Sequence, residues 1–274
     1  MRSDNVRMVY DSATLPSPPI HEALELARYR HLLVNLISRD LKVRYKRSVL
    51  GFAWAMVNPL LTMLVLVLVF SQLFSRVENY PIYVIGGLIV WRFFRQGIGG
   101  GMSSVLSSSG LLTRIYIPPS IFVTSSIGGD LIHFTLAAGV VMVLTALSGL
   151  LPSLSWLLLP LTILHVALFT LGIGLMLAAL AVFFVDLFDI IDVVMGAYYF
   201  LTPIIYPMSI LPPTLQDWQQ FNPMFYLVNN FRSILLGTPP STSDILIATI
   251  VSIVALLVGW LVFTRLRWQF AYRV

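Results

Sequence analysis

Between Arg28 and Arg47 the chain places seven cations, Arg28, Arg30, Arg39, Lys42, Arg44, Lys46 and Arg47, against one acid, Asp40. A guanidinium offers forked donors and keeps its charge, so arginines at this density suit phosphate or anionic headgroups. Basic runs also bind nucleic acid or set membrane topology. This one directly precedes a charge-free apolar stretch, so lipid and topology lead and no nucleic-acid partner is expected. Two readings stay open. In one, the cations only fix topology and grip anionic lipid. In the other, Arg44, Lys46 and Arg47 also receive an anionic, lipid-linked substrate at a cytoplasmic entrance.

A second set of ionisable residues, Arg92, Arg95, Asp130, His133 and His165, lies inside apolar stretches. Such groups are costly in lipid and face a protein interior or a water-filled path. Asp130 and His133, three positions apart, share one helix face. They form either a self-neutralising pair against a neighbouring helix or part of a proton relay, and no connected series of acids continues the relay elsewhere. Asp186, Asp189 and Asp192 could hold a divalent metal, as in membrane enzymes acting on polyprenyl substrates. At that spacing they drift by about 120° around a helix, and no second acidic motif completes a site. The other reading is a helix end that pairs with nearby cations, and no metal is expected.

Gly97, Gly99, Gly100 and Gly101 do not make a phosphate loop, because Met102 stands where a lysine and hydroxyl would follow. They suit close helix packing or a hinge. No other sequence of the Walker type occurs, so the chain is not expected to be an enzyme or to bind a nucleotide cofactor. Cysteine is absent, which excludes disulfides, thiolate metal sites and a cysteine nucleophile.

Aromatic residues mark the outer ends of apolar stretches: Tyr80, Tyr83, Tyr198, Tyr199, Phe200 and Tyr206, with Trp91, Phe93 and Phe94 deeper. They read as an interfacial belt with core packing, or as rings lining a channel and stacking on the apolar faces of sugars.

These residues need a membrane scaffold to hold them. Of 274 residues, 58% are hydrophobic and 11% charged, against roughly 25% charged in soluble domains. A crossing helix takes about 20 apolar residues. Candidate spans run over about 50–74, from Pro81 to about 112, 121–150, 156–185, 190–211 and 245–264. The second, interrupted by Arg92 and Arg95, is either continuous or hinged at its glycines. The cations before the first span, Arg114 after the second, and Arg265, Arg267 and Arg273 at the end place both termini on the cytoplasmic side. Residues 1–27 hold no apolar core segment and, with Leu15-Pro16-Ser17-Pro18-Pro19, read as a mobile tail.

Residues 28–48 read as a helix along the membrane surface. Leu33, Val34, Ile37, Leu41 and Tyr45 share one arc, facing acyl chains, while Asn35, Arg39, Lys42 and Lys46 lie opposite. Arg44 falls on the apolar side, so it must snorkel or face something anionic. Residues 49–274 form the membrane domain, and its stretch from Pro207 to Pro240 contains an apolar piece, Met224 to Leu236, too short to cross. That piece suits an interfacial or re-entrant helix on the outer face. The fold expected is therefore all-α, with six transmembrane helices, an amphipathic interfacial helix before them and re-entrant helices between spans five and six.

The run from Arg39 to Gly51, then Trp54 and Asn58-Pro59-Leu60, resembles the opening of type-2 ABC exporter permeases. It is most similar to the group that exports O-antigen, capsule and teichoic acid. Phe183-Phe184-Val185-Asp186, Thr202 to Pro207, Asn222-Pro223-Met224, Phe231-Arg232 and Leu236-Gly237 carry the same resemblance. It implies a homodimer in the bacterial inner membrane, served by two copies of a separate cytoplasmic ABC ATPase that holds ATP and Mg. It implies a coupling helix contacting that ATPase, here containing Leu112, Arg114, Ile115 and Tyr116. It implies a polysaccharide on a polyprenyl pyrophosphate as substrate. Val185 stands where relatives often carry arginine, and Pro119-Ser120 where a charge often follows proline, so those two roles do not transfer. A type-2 exporter of a small drug or lipid, and a metal-dependent enzyme on polyprenyl substrates, are the alternatives.

Overall fold

The computed structural model describes residues 18–46, 48, 51–75, 77–108, 110, 117–150 and 153–270. Ten α-helices are placed: α1 (Pro18–Arg28), α2 (Arg30–Tyr45), α3 (Trp54–Phe70), α4 (Tyr80–Ser107), α5 (Ser120–Leu147), α6 (Leu159–Ala181), α7 (Leu187–Leu201), α8 (Pro213–Gln219), α9 (Pro223–Leu235) and α10 (Thr242–Leu266). A 3-10 turn over Leu154–Leu158 extends α6 at its start. No strand occurs among the described residues. Among the described residues, three stretches are long and apolar enough to cross a membrane: Ser120–Leu147, Leu154–Ala181 and Thr242–Gln269. Helix α3 supplies a shorter apolar piece, Met56–Phe70, and α7 has 15 residues.

Helix α4 runs unbroken for 28 residues, so its glycines are not a hinge. A Cβ at Gly97 would sit 2.6 Å from Thr170 Cγ2, and one at Gly101 3.7 Å from Gly174 Cα. They let α4 close onto α5 and α6, which is how helices gain contact where lipid offers no hydrophobic drive. Helices α6 and α10 approach more closely still, because a Cβ at Gly172 would overlap the Ala255 backbone and one at Gly259 would overlap Gly172. His165 and Thr249, 3.0 Å apart, tie the same two helices. Between α4 and its neighbours Phe93 stacks on Phe134 at 4.9 Å and Phe94 on Phe169 at 5.4 Å.

The fifth apolar stretch leaves its helix at Leu201, short of the expected end near residue 211. Pro203 and Pro207 cannot continue a helical hydrogen-bond ladder, so the chain turns and builds a cap from α8 and α9. Asn222 organises it. Its side chain accepts from the Met224 and Phe225 amides at 3.0 and 3.3 Å and from the Tyr198 hydroxyl at 2.7 Å, and donates to Thr202 Oγ1 at 3.1 Å. Buried Arg232 donates to the carbonyls of Pro203 and Ile204 at 3.1 and 2.8 Å, with its guanidinium 3.6 Å from the Tyr83 ring centroid. The separated stretches around Thr202, Asn222 and Arg232 thus form one rivet.

Two expectations about the N-terminal region are corrected. Residues 18–27 are helical rather than part of a tail. Glu22 of α1 is fully buried, accepts from the Ser120 amide and hydroxyl at 3.2 and 2.5 Å, and pairs with Arg267, while the Trp260 indole donates to Pro19 O at 3.0 Å. A carboxylate at the start of α5 also complements that helix's dipole. Helix α2 turns its apolar stripe to protein rather than to acyl chains alone. Leu36 packs on Ile121 and Phe122, and Ile37 covers Gly128. Tyr45 then meets His133, so α2 advances along α5 in the same direction. Val34 and Val43 stay exposed, as do the cations Arg39, Lys42 and Lys46.

Candidate functional site

Where α2 ends on α5, a cleft opens between α3, α4 and α5. It comprises two adjoining cavities of about 380 and 560 Å³ that share Asn58, Pro59, Arg92 and Gln96. Helical spacing puts its polar groups there. Arg92 and Gln96 are i, i+4 on α4 with Arg95 beside them, Asn58 and Thr62 are i, i+4 on α3, and Asp130 and His133 are i, i+3 on α5. Pro59 interrupts the α3 ladder beside Asn58. Trp54 and Trp91 each contribute to one of the two cavity walls.

Arg44 reaches into the first cavity from the last turn of α2. Its Nη1 donates to Asp130 Oδ1 at 2.8 Å and lies 3.2 Å from His133 Nδ1, while Tyr45 Oη is 2.8 Å from His133 Nε2. Arginine only donates, so the Arg44 contact uses His133 Nδ1 as acceptor, and Nε2 faces the Tyr45 hydroxyl. Burial pushes the Tyr45 hydroxyl above its ordinary pKa, against the opposing pull of Arg44 and Arg92, and keeps it a neutral partner. Asp130 is 3% exposed, and its Oδ2 has no hydrogen-bond partner among the described residues. That oxygen rests over Gly100, where a Cβ would approach it to 3.6 Å. The Asp130–His133 pair is therefore answered by Arg44 of the preceding helix.

Arg92 lines both cavities, yet among the described residues it has neither a hydrogen-bond nor an ion-pair partner. Arg95, at the edge of the second cavity, donates to Asp192 Oδ1 at 2.6 Å, and both side chains are exposed. No group of three metal-ligating side chains gathers among the described residues; Asp192 of the aspartate series is turned to Arg95.

The other sequence-selected residues scatter. Lys46 caps α2, is exposed and lines neither cavity. Arg47, Leu112, Arg114, Ile115 and Tyr116 lie outside the described residues. Trp91 lines the second cavity and contacts Tyr198 and Tyr199 at 5.7 and 5.5 Å between centroids. Phe93 forms cavity wall but is 3% exposed, and Phe94 is core. Tyr198 is spent on Asn222, Phe200 is exposed, and the Tyr206 hydroxyl donates to Phe200 O at 2.5 Å. Within one chain these seven rings divide between core, cleft wall and surface and do not line a continuous path. Gln96 was not singled out from sequence, and Trp54 and Asn58 were named there as carriers of the family resemblance, not as site residues. The signal available was two polar i, i+4 pairs inside apolar helices.

Residues 31–236 match the ABC-2 type transporter family. The chain is 34% identical over 255 residues to the O-antigen export system permease protein RfbA of Myxococcus xanthus, covering 90% of this chain and 96% of that one. It is 29% identical over 242 residues to RfbA of Klebsiella pneumoniae, covering 88% and 93%. It is 20% identical over 205 residues to the polysialic acid transport protein KpsM of Escherichia coli, covering 73% and 80%.

Proposed function

Because the chain belongs to the ABC-2 type transporter family, we propose that it is the permease subunit of an ATP-driven exporter of lipid-linked polysaccharide, of the O-antigen or capsule kind. The likeness to permeases named for O-antigen and polysialic acid supports that cargo. The chain crosses the inner membrane six times, through α3, α4, α5, residues 154–181, α7 and α10, with both termini cytoplasmic and α8 and α9 re-entrant from outside. Two copies form the path, and two copies of a cytoplasmic ABC ATPase supply the energy from ATP and Mg. The coupling segment, 111–118, precedes α5 in the sequence. A push there would travel along a stiff rod to Asp130 and His133, which hold Arg44.

The observation that carries this reading to the cleft is Arg92. A part-buried guanidinium in an apolar helix, with no hydrogen bond or close ion pair among the described residues, is expensive and calls for an anion, and the diphosphate of a polyprenyl carrier has the right chemistry. Arg44 is the second contact, with Lys46 and Arg47 serving the approach. The aromatic residues at the outer end of the spans would face sugar at the seam between two copies. Reconstitution with the cognate ATPase tests this. Glycan should appear on the far side of the vesicle only with ATP, and ATP turnover without any glycan movement would refute transport of polymer.

A second reading rests on the cleft's size. Two cavities of a few hundred Å³ fit a lipid headgroup, so a lipid without glycan could be the cargo. Equal export of the bare carrier lipid and the glycosylated one would favour it.

A further inference from the structure

The cleft carries three arginines in different states. Arg95 is answered by Asp192 and Arg44 by Asp130, whereas Arg92 has no hydrogen bond or close ion pair among the described residues and feels only the more distant charge of Asp130. An anion arriving from the membrane therefore finds one open cation. To gain a second it must take Arg44 from a carboxylate held at 2.8 Å.

That exchange is unfavourable for a weak anion. Asp130 is 3% exposed, one of its oxygens bonds Arg44, and the other has no hydrogen bond. If Arg44 left, a buried carboxylate would lose its counter-charge, which costs more than a surface pair returns. A monoanionic phosphodiester headgroup offers too little in exchange. A diphosphate carries more charge and more acceptor oxygens, and can span Arg92 and Arg44 together.

We infer that Asp130 is a specificity-determining residue: by holding Arg44 it keeps bulk anionic phospholipid out of the cleft and sets the threshold that a lipid diphosphate must exceed. This rests on the reading of the cleft as a headgroup site. Asp130 acts through Arg44 and need not touch the substrate. Its position under Gly100 and its contact with a residue 86 positions earlier, at the end of α2, suit such a gate on one cation.

The test uses the permease with its ATPase in nanodiscs and in proteoliposomes. Probes are phosphatidylglycerol, geranylgeranyl diphosphate, geranylgeraniol and inorganic pyrophosphate, with binding read from Trp54 and Trp91 fluorescence and from lipid retained in native mass spectra. Asp130→Asn should raise phosphatidylglycerol affinity by at least about tenfold, because a freed guanidinium becomes available to it. Its glycan export should fall in phosphatidylglycerol-rich vesicles and recover in phosphatidylethanolamine vesicles, a dependence that a folding defect would not produce. Arg92→Gln, which breaks no hydrogen bond among the described residues, should weaken geranylgeranyl diphosphate by about tenfold or more and leave geranylgeraniol unchanged; it decides the matter even if Asp130→Asn does not fold. Tighter binding of inorganic pyrophosphate than of the prenyl diphosphate would assign the site to a soluble anion and overturn the inference, as would unchanged phosphatidylglycerol affinity in Asp130→Asn. If wild-type vesicles export no glycan while the lipid affinities shift as expected, the threshold stands and the polysaccharide reading falls.

Discussion

Arg232 in the cap and Arg92 in the cleft both lack a carboxylate in direct ion-pair contact among the described residues, and the chain treats them in opposite ways. Arg232 is 3% exposed, gives its Nη atoms to two carbonyls and lies against an aromatic ring. Its Nε has no hydrogen-bond partner among the described residues but is buried, so Arg232 offers a ligand no exposed donor. Arg92 is part-buried, borders both cavities and keeps its donors open. A cation completed by backbone dipoles is a fastener. One left incomplete beside space is a receptor. The cap therefore holds shape, and the cleft handles charge.

The sharpest way to break this contrast is Arg232→Ala. It strands two carbonyls at about 1–3 kcal/mol each and opens a cavity, so the thermal midpoint in detergent should fall well below wild type; unaltered melting would remove the fastener role. Next is Arg92→Gln, where ATP-driven glycan export should drop by about tenfold, equivalent to about 1.4 kcal/mol, with melting unchanged. Loss of folding there would mean that Arg92 is structural too. Asn222→Ala removes a helix cap worth about 0.5–2 kcal/mol and should lower the midpoint less than Arg232→Ala, with export per folded molecule retained. Asp192→Asn frees Arg95 from an exposed pair worth about 0–1 kcal/mol. It should shift neither stability nor export by more than about twofold, and a larger fall in export would extend the charge-handling region to the mouth of the cleft.

The cap was more legible in sequence than the cleft. Thr202-Pro203, Asn222-Pro223 and Phe231-Arg232 lie close in the chain, and proline, capping asparagine and arginine each have narrow local uses. The three longest apolar stretches, α5, residues 154–181 and α10, were also readable from length and hydropathy. Helix α2 was not. An apolar stripe cannot reveal whether lipid or another helix covers it, because both are equally apolar, and here Ile121, Phe122 and Gly128 share that task. The mismatch of Arg44 on that stripe was the clue, and Asp130 resolves it across 86 positions. Glu22 was hidden for another reason. A single glutamate after a proline-rich stretch looks solvated, and only the folded chain brings Ser120 and Arg267 to it.

The contact between Glu22 and Arg267 has a topological consequence. It closes nearly the whole polypeptide into a ring, and a closed curve pierces any sheet an even number of times. If α4 crosses as proposed, α3 and α7, the shortest of the proposed crossings, must be counted in or out as a pair. A census of five or seven passages would require this buried ion pair to sit on both faces of the bilayer at once.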